Sequence, residues 1–521
     1  MSTNPELRDV IIVGGGHNGL VCASYLARAG LDVLVLEARD IVGGACVTEE
    51  LFPGCRMSTY SYVTHLLQPR IVHDLGLESR GFSVLHSDMK RFFPWPGHRA
   101  FRWWADGQRT EAEITAAFGA DEARGFMQLM VLFKQAAAVF SRFVFAEPPT
   151  IAQIFASVRD AEEERVLRLF WEQTPQEIMA PLLRSDELQA AAIGHIIDPR
   201  GLDEPGVFFD YSAGTKLNQF VDPRHQGIVV GGMGALSGAM ARAARDFGAE
   251  IRCGTEVRQV LVGARGAEGV ELQDGRQIRA KIVISNADPQ RTLRGLLPSG
   301  ALPAASGAEL SQKATSIATM KFHAVVDALP DFSAYLGKGY DPTHAVFTIL
   351  CPSTGYFRAA LDDAKAGRAS RAPVLDIQIP TALDSTLAPE GTHLVSLWSR
   401  FAPVRPAGPP WADQRQSEGE RLIDLVTEYA PNFRQSIRAW KLFTPDDLAE
   451  RARLTDGNFR HIDHSRGKMF ADRPLSGHGH GTPIAGLYLC GAGTHPGGDV
   501  SGAPGHNAAQ RVLADLRSGA S

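Results

Sequence analysis

The sequence predicts an α/β chain, α+β overall, in which a discontinuous Rossmann-like domain is interleaved with a second domain of mixed sheet and helices. Three observations carry that expectation. The chain opens on a strand, a glycine loop, a helix and a second strand in "DVIIVGGGHNGLVCASYLARAGLDVLVLEARD", Asp9 to Asp40. It closes on the same order of parts, strand, glycine-rich loop and helix, in "GLYLCGAGTHPGGDVSGAPGHNAAQRVLADL", Gly486 to Leu516. Between them "GTEVRQVLVGARGAEGVELQDGRQIRAKIVISNADP", Gly254 to Pro289, reads as a β-rich meander around the turn Asp274-Gly275. At 521 residues the chain is too long for one ordinary core, so a domain with pieces at both ends and in the middle must have the other inserted into it.

In the first unit "DVIIVGGG" is a buried strand running into glycines, "LVCASYLARAG" has helical periodicity closed by Gly30, and "LDVLVLEAR" is a second buried strand. Gly14, Gly16 and Gly19 form a GxGxxG. The first serves the turn, the second lets a pyrophosphate approach, and the third lets helix pack on strand, with His17 and Asn18 opening the helix at the phosphates. Glu37 ends the second strand, 18 residues after Gly19, where a carboxylate accepts hydrogen bonds from a ribose diol and repels a 2'-phosphate. Ala38 and Arg39 follow it in the same cofactor-binding stretch.

That unit serves NAD and FAD alike, and the rest of the chain selects FAD. The doublet Gly43-Gly44, with Ala45 after it, lets another stretch of backbone approach the pyrophosphate or flavin side of an extended cofactor. The closing helix, expected to begin near Gly502, offers free N–H groups to a polar cofactor edge. Two glycine-rich helix starts at opposite ends of the chain, joined by the meander, suit a cofactor with two ends.

"GGACVTEELFPGCRMSTYSYV", "GGMGALSGAMARAA", "VISNADP" and "LYLCGAGTHPGGDVSGAPGHNAA" together resemble the phytoene desaturase-like flavoprotein oxidoreductases of the amine oxidase and GDI-like superfamily. The likeness is greatest to the branch containing pyridine nucleotide-disulfide oxidoreductase domain-containing protein 2. The resemblance implies a noncovalent FAD, with Glu37 on the adenosine ribose and the backbone of Val257 beside adenine. It further implies that Gly491, Asp499, Val500 and Ser501 lie by the ribityl chain and isoalloxazine. Ala45 departs from the family, since many carotenoid desaturases carry Arg after the doublet; this leaves a phosphate contact unassigned and speaks against a carotenoid substrate.

Other motifs have competing readings. "GIVVGGMGALSGAMARAARDFGAEI" imitates a second nucleotide unit through Gly232, Gly234 and Gly238, but no acid or Arg follows at the needed offset; in the family this helix packs beside the strand carrying Val257. Cys46 and Cys55 are separated by eight residues, where a flavin disulfide reductase has four, and both are expected as shielded free thiols. His478 and His480 fall in a loop expected to be flexible, without ligand neighbours for a metal. Gly457, Asn458 and His461, from a GN-x-x-H segment the family shares, either wall the cavity or make a turn. The aromatic group Phe92, Phe93, Trp95, Trp103 and Trp104 reads as core or hairpin in preference to a ligand cage.

Composition bounds the rest. A net charge of -5 offers no basic field for nucleic acid. Six scattered cysteines, none in a CxxC, suit a reducing compartment, and the polar "MSTNPELR" before the first strand leaves no room for a targeting peptide, so a cytoplasmic location is expected. A helix over Phe126 to Phe145, with one narrow polar stripe, reads as core or cavity wall, and peripheral membrane contact is its second reading. The oligomeric state is not legible.

The expected FAD-binding part is 1-75, 215-300 and 450-521, and the substrate part 76-214, mostly helical, with 301-449, mixed. "KFHAVVDA", "AVFTILC", "VLDIQIP" and "HLVSLWSRF" are strands expected to form a sheet over the flavin, and the Pro-rich Ala402 to Pro410 is a loop before a helix near Ala412. The leading functional expectation is a desaturase or dehydrogenase that takes a hydride from a C–H bond of a rather apolar substrate to flavin N5. The alternatives are an amine oxidase acting on a C–N bond and a non-catalytic, GDI-like lipid-group binding protein. Tyr60, Tyr62, His65, His495 and Asp499 are the candidates for proton handling or orientation, each with a structural reading beside it: His495 as a tie within its loop, the tyrosines as cavity wall.

Overall fold

The computed structural model describes residues 6–194 and 196–519. The leading segment expected before the first strand lies outside the described residues as far as Pro5. The strand itself starts at Glu6, ahead of the expected Asp9. It pairs from its first residue with Gln277–Ser285, Glu6 against Ile278, and ion pairs hold its end: Arg8 pairs with Glu6, Asp32 and Glu250 while Arg252 pairs with Glu6 and Glu250.

The first sheet has a parallel core in the order Glu250–Arg252, Val33–Leu36, Glu6–Val13, Gln277–Ser285 and Leu487–Leu489. The meander Val257–Gly263 and Gly266–Leu272 joins it antiparallel along the first residues of Gln277–Ser285, whose last residues pair with Leu487–Leu489. A parallel sheet covered on both faces needs continuous apolar strands. In "VIIV" and "VLVL", Val10, Ile12, Val33 and Val35 meet the helical layer, while Ile11, Val13, Leu34 and Leu36 meet the meander side.

The helical layer comprises His17–Arg28, Met233–Asp246 and Ala503–Ser518, the last beginning one residue past Gly502. Helix Met233–Asp246 was expected beside the strand carrying Val257. Instead it lies chiefly against His17–Arg28 and leads into Glu250–Arg252, at the opposite edge of the sheet from Val257–Gly263. The crossover back to the meander carries Val257 away from the helix that precedes it.

The second sheet, in the order Ile437–Phe443, Ile317–Val326, His393–Pro403, Leu375–Gln378, Phe347–Leu350, Met89–Trp95 and Arg99–Trp104, draws strands from both inserted stretches. All four expected strands are present. The aromatic group forms the hairpin Met89–Trp95/Arg99–Trp104, with Phe92, Phe93 and Trp95 in the core. One face is apolar: Met320, Phe322, Leu375, Ile377, Val395 and Leu397 pack under the helix Trp411–Tyr429, which follows the Pro-rich loop. The alternate residues Thr319, Lys321, Asp376, Gln378, Trp398 and Arg400 project to the other side, as a period of two requires. The expected long helix spans Ala120–Ser141 and buries Phe126, Leu129, Phe133, Ala136 and Phe140. Among the described residues no helix is long and apolar enough to cross a membrane.

Candidate active site

Two cavities meet between the sheets. The smaller, about 480 Å3, is the nucleotide cleft, lined by Gly14, Gly16, His17, Asn18, Glu37, Ala38, Arg39, Gly43, Gly44, Ala45 and Val257. Glu37 is fixed there by two backbone donors, the Gly15 N–H to Oε2 at 2.7 Å and the Arg39 N–H to Oε1 at 2.9 Å. The first turn of helix His17–Arg28 has no partner within the helix for its leading N–H groups, and His17 and Asn18 line the cleft. The doublet closes on this loop: the Gly43 N–H donates to the Gly15 carbonyl at 2.8 Å, and a Cβ on Gly44 would lie 3.2 Å from the Gly16 Cα. Gly43 and Gly44, at φ +117° and +58°, need the conformations that glycine adopts freely.

Gly19 lies behind the cleft, packed on the Gly14 carbonyl, where a Cβ would stand 2.4 Å from that oxygen. Gly491 and Ser501 are buried nearby and line neither cavity; beside Gly491 it is Ala492 that lines the cleft. Asn286, Asp288, Arg291 and Arg453 also line the cleft. The motif "VISNADP" marks the first two, but nothing in the sequence marks the arginines.

The carboxy-terminal loop is held by Arg473, which is fully buried and donates to five carbonyls: Arg460, Ile462 and Ala492 from Nη2 at 2.7 to 2.9 Å, and Asp463 and Lys468 from Nη1 at 3.2 and 3.0 Å. Arg473→Leu leaves all five without that donor. We expect a loss of about 3 kcal/mol or more in unfolding free energy, measured by denaturant titration of the holoprotein.

The larger cavity, about 930 Å3, shares His17, Ala45, Leu454 and Phe459 with the cleft, so the two are continuous there. Tyr60, Tyr62, His65, Asp499 and Val500 all line it. His495 does not. Its Nε2 donates to the Phe143 carbonyl at 2.7 Å, and burial pushes the imidazole down to about 4, so its role is to tie the loop to the end of the long helix. Asp499 sits at φ +63° and pairs with Arg460 at 3.3 Å. Burial also lowers His65 and raises Tyr62.

Of the GN-x-x-H segment, Gly457 lines the large cavity and His461 the cleft. Asn458 makes a turn, accepting from the Arg460 N–H and donating to Asp463. Trp103, packed on Phe101 and Phe126, and the buried Trp104 belong to the core and hairpin as expected and also wall the large cavity.

The polar face of the second sheet adds residues that no sequence motif marks. Lys321, 2% exposed, donates to Gln378 Oε1 at 3.2 Å and lies 4.1 Å from the Tyr62 ring centre, and burial pushes it down to about 7. Trp398 stands between Tyr62 and Phe459, with ring centres 6.1 and 5.8 Å away. Behind them the buried Arg400 grips both Asp376 oxygens at 2.7 and 2.8 Å. A weaker signal was available: in "IATMKFHAVV" Thr319, Lys321 and His323 alternate with apolar residues although the strand is buried on both faces.

Among the remaining motifs, Cys46 and Cys55 are buried free thiols, with burial pushing Cys46 up to about 12. The loop around His480 is not the flexible one expected. His480 is 1% exposed, its Nδ1 lies 3.1 Å from the Leu489 carbonyl, and Gly481 bridges to Tyr488 at the sheet edge.

Comparison with known proteins adds three findings. Residues 19–325 match the model of the flavin-containing amine oxidoreductase family. Pyridine nucleotide-disulfide oxidoreductase domain-containing protein 2 of Mus musculus is 32% identical over 98% of this chain and 94% of its own, and a limonene dehydrogenase chain of Castellaniella defragrans is 28% identical over 98% and 95%. The solved structure of wild-type putrescine oxidase bound to putrescine shares the fold, with a TM-score of 0.60 and 16% identity over 98% of this chain and 99% of the other.

Proposed function

The chain belongs to the flavin-containing amine oxidoreductase family, and from that premise we propose that it oxidises a small organic substrate with an apolar body at a carbon bonded to nitrogen, C–N to C=N. It is an FAD-dependent oxidoreductase. FAD fits the cleft: polar atoms without a protein partner are buried along it, among them His17 Nε2, Asn18 Oδ1, Arg39 Nη1 and His461 Nδ1. Gly14, Gly16, Glu37, the doublet and Val257 would hold it without a covalent bond, and when bound it supplies the two-electron acceptor.

The observation that carries the C–N reading is Lys321. An ammonium cannot release a hydride from its α-carbon, so an amine substrate must first lose a proton. Lys321, pushed down to about 7, is a buried base for that proton, and Asp499, the one carboxylate lining the cavity among the described residues, is already paired with Arg460. The wall therefore disfavours the ammonium form and favours the neutral one. The rings of Tyr62, Trp398 and Phe459 supply an apolar surface for the substrate body beside the junction of the two cavities. The family description and the fold shared with putrescine oxidase lean the same way, away from the C–H desaturation that the sequence puts first.

C=C formation stays as a second reading, supported by the volume of about 930 Å3 and by the likeness to the limonene dehydrogenase chain. Anaerobic mixing of the holoenzyme with apolar amines and, separately, with terpenoid hydrocarbons distinguishes the two. We expect bleaching of the flavin band by an amine. Bleaching by hydrocarbons alone would replace the C–N reading with the second.

A further inference from the structure

The large cavity is one-sided in charge. Among the described residues seven Lys and Arg side chains line it against the single carboxylate of Asp499. Three of them, Lys90, Lys134 and Arg224, are exposed and so mark the mouth. Lys216 lies inside, 9% exposed, and among the described residues its ammonium has neither a carboxylate partner nor a hydrogen-bond acceptor. Its neighbours are rings, with the Phe133, Tyr211 and Trp103 centres 4.5, 5.3 and 5.9 Å from Nζ. Burial, with the charges of Arg91 and Lys90 beside it, pushes Lys216 down to about 7.

A lysine held this way costs stability, because burial penalises its charge and two like charges add to the penalty. The ring faces offset only part of that cost. An anion beside it would offset the rest, and among the described residues none stands there, the Asp499 carboxylate being paired with Arg460. Met127, Met130 and Phe126, from the same face of Ala120–Ser141, line the cavity beside it and offer an apolar track.

We propose that the substrate carries a terminal carboxylate, bound by Lys216 with Lys90 behind it, while its apolar body runs along the helix Ala120–Ser141 toward the junction with the cleft. The proposal rests on the reading of this cavity as the substrate site and narrows the substrate to an apolar acid. Its oxidisable carbon lies at the end remote from the acid group.

The test is calorimetric titration of the holoenzyme with decanoate and decanol, probes equal in chain length that differ only in the end group and carry no amine to oxidise. Decanoate is expected to bind about tenfold or more tightly than decanol. In Lys216→Met that advantage is expected to fall by about tenfold while decanol changes by no more than about twofold, and Lys216→Arg is expected to keep it. Equal binding of decanoate and decanol by the wild type, or an undiminished preference in Lys216→Met, overturns the proposal. The wild-type comparison stands whatever the variants do. Amines that bleach the flavin while decanoate shows no preference leave the C–N reading intact and remove this one; the reverse pattern removes the C–N reading alone.

Discussion

The Gly19→Ala protein is expected to purify without flavin colour and to bind added FAD on the order of 100-fold more weakly than the wild type. The added methyl would stand 2.4 Å from the Gly14 carbonyl oxygen and 3.1 Å from the Asn286 Cβ. Neither neighbour is a free end. Gly14 is anchored by its own N–H to the Leu36 carbonyl at 2.8 Å, and Asn286 by its N–H to the Val13 carbonyl at 2.8 Å. The helix His17–Arg28 must therefore move outward, carrying the leading N–H groups at His17 and Asn18 away from where a phosphate would meet them. Gly30→Ala is the control: no atom lies within 4 Å of its Cβ, and its φ of +90° costs only about 1 kcal/mol, so colour is expected to persist. Flavin absorbance per mole of protein, read on both variants beside their thermal unfolding, distinguishes a lost site from a lost fold. A yellow Gly19→Ala protein of wild-type affinity would show that the helix start does not hold the cofactor.

Legibility followed locality. Glu37, the doublet and the three glycines announce themselves because a phosphate-binding turn is built from neighbours in sequence, and all but Gly19, which supports it from behind, line the cleft. The edges were less legible. The strand start at Glu6 is met by Ile278 across the sheet and by Glu250 and Arg252 in ion pairs, all more than 240 residues away, and no local pattern reports such pairings. The hairpin Thr48–Phe52/Cys55–Ser58 went unread for a related reason: its charged "TEEL" face imitates a loop.

The substrate site was least legible of all. Tyr60, Tyr62 and His65 were found because they follow the doublet directly, whereas Lys216, Lys321, Trp398 and Arg460 come from four separate stretches that only the fold brings together. His495 misled because its motif is shared with the flavin loop while its side chain turns to the Phe143 carbonyl.

Lys321→Met is expected to lower the rate of flavin reduction by an amine about 100-fold or more while FAD binding stays at the wild-type level. The side chain touches the cavity and not the cleft, so the cofactor's contacts are left alone. The pH profile carries the sign. Lys321 is held at about 7 against an ordinary 10.5, so it is charged below pH 7 and a free base above it. Wild-type flavin reduction should therefore rise as the pH passes upward through about 7. In Lys321→Met that rising limb should vanish.

Lys321→Arg, charged at every pH used, should be as slow as the methionine variant. Unfolding cannot account for these losses. Between about 7 and 10.5 the unfolded chain holds a proton on this lysine that the folded chain lacks, so wild-type stability climbs with pH across that window and bears the full penalty below it. Methionine removes the penalty, and Lys321→Met is accordingly expected to melt no lower than the wild type at pH 7, and higher if its side chain fills the space between Tyr62 and Gln378. A stable, fully flavinylated Lys321→Met enzyme that reduces at the wild-type rate with an unchanged pH limb would remove Lys321 from the chemistry, and the C–N reading with it.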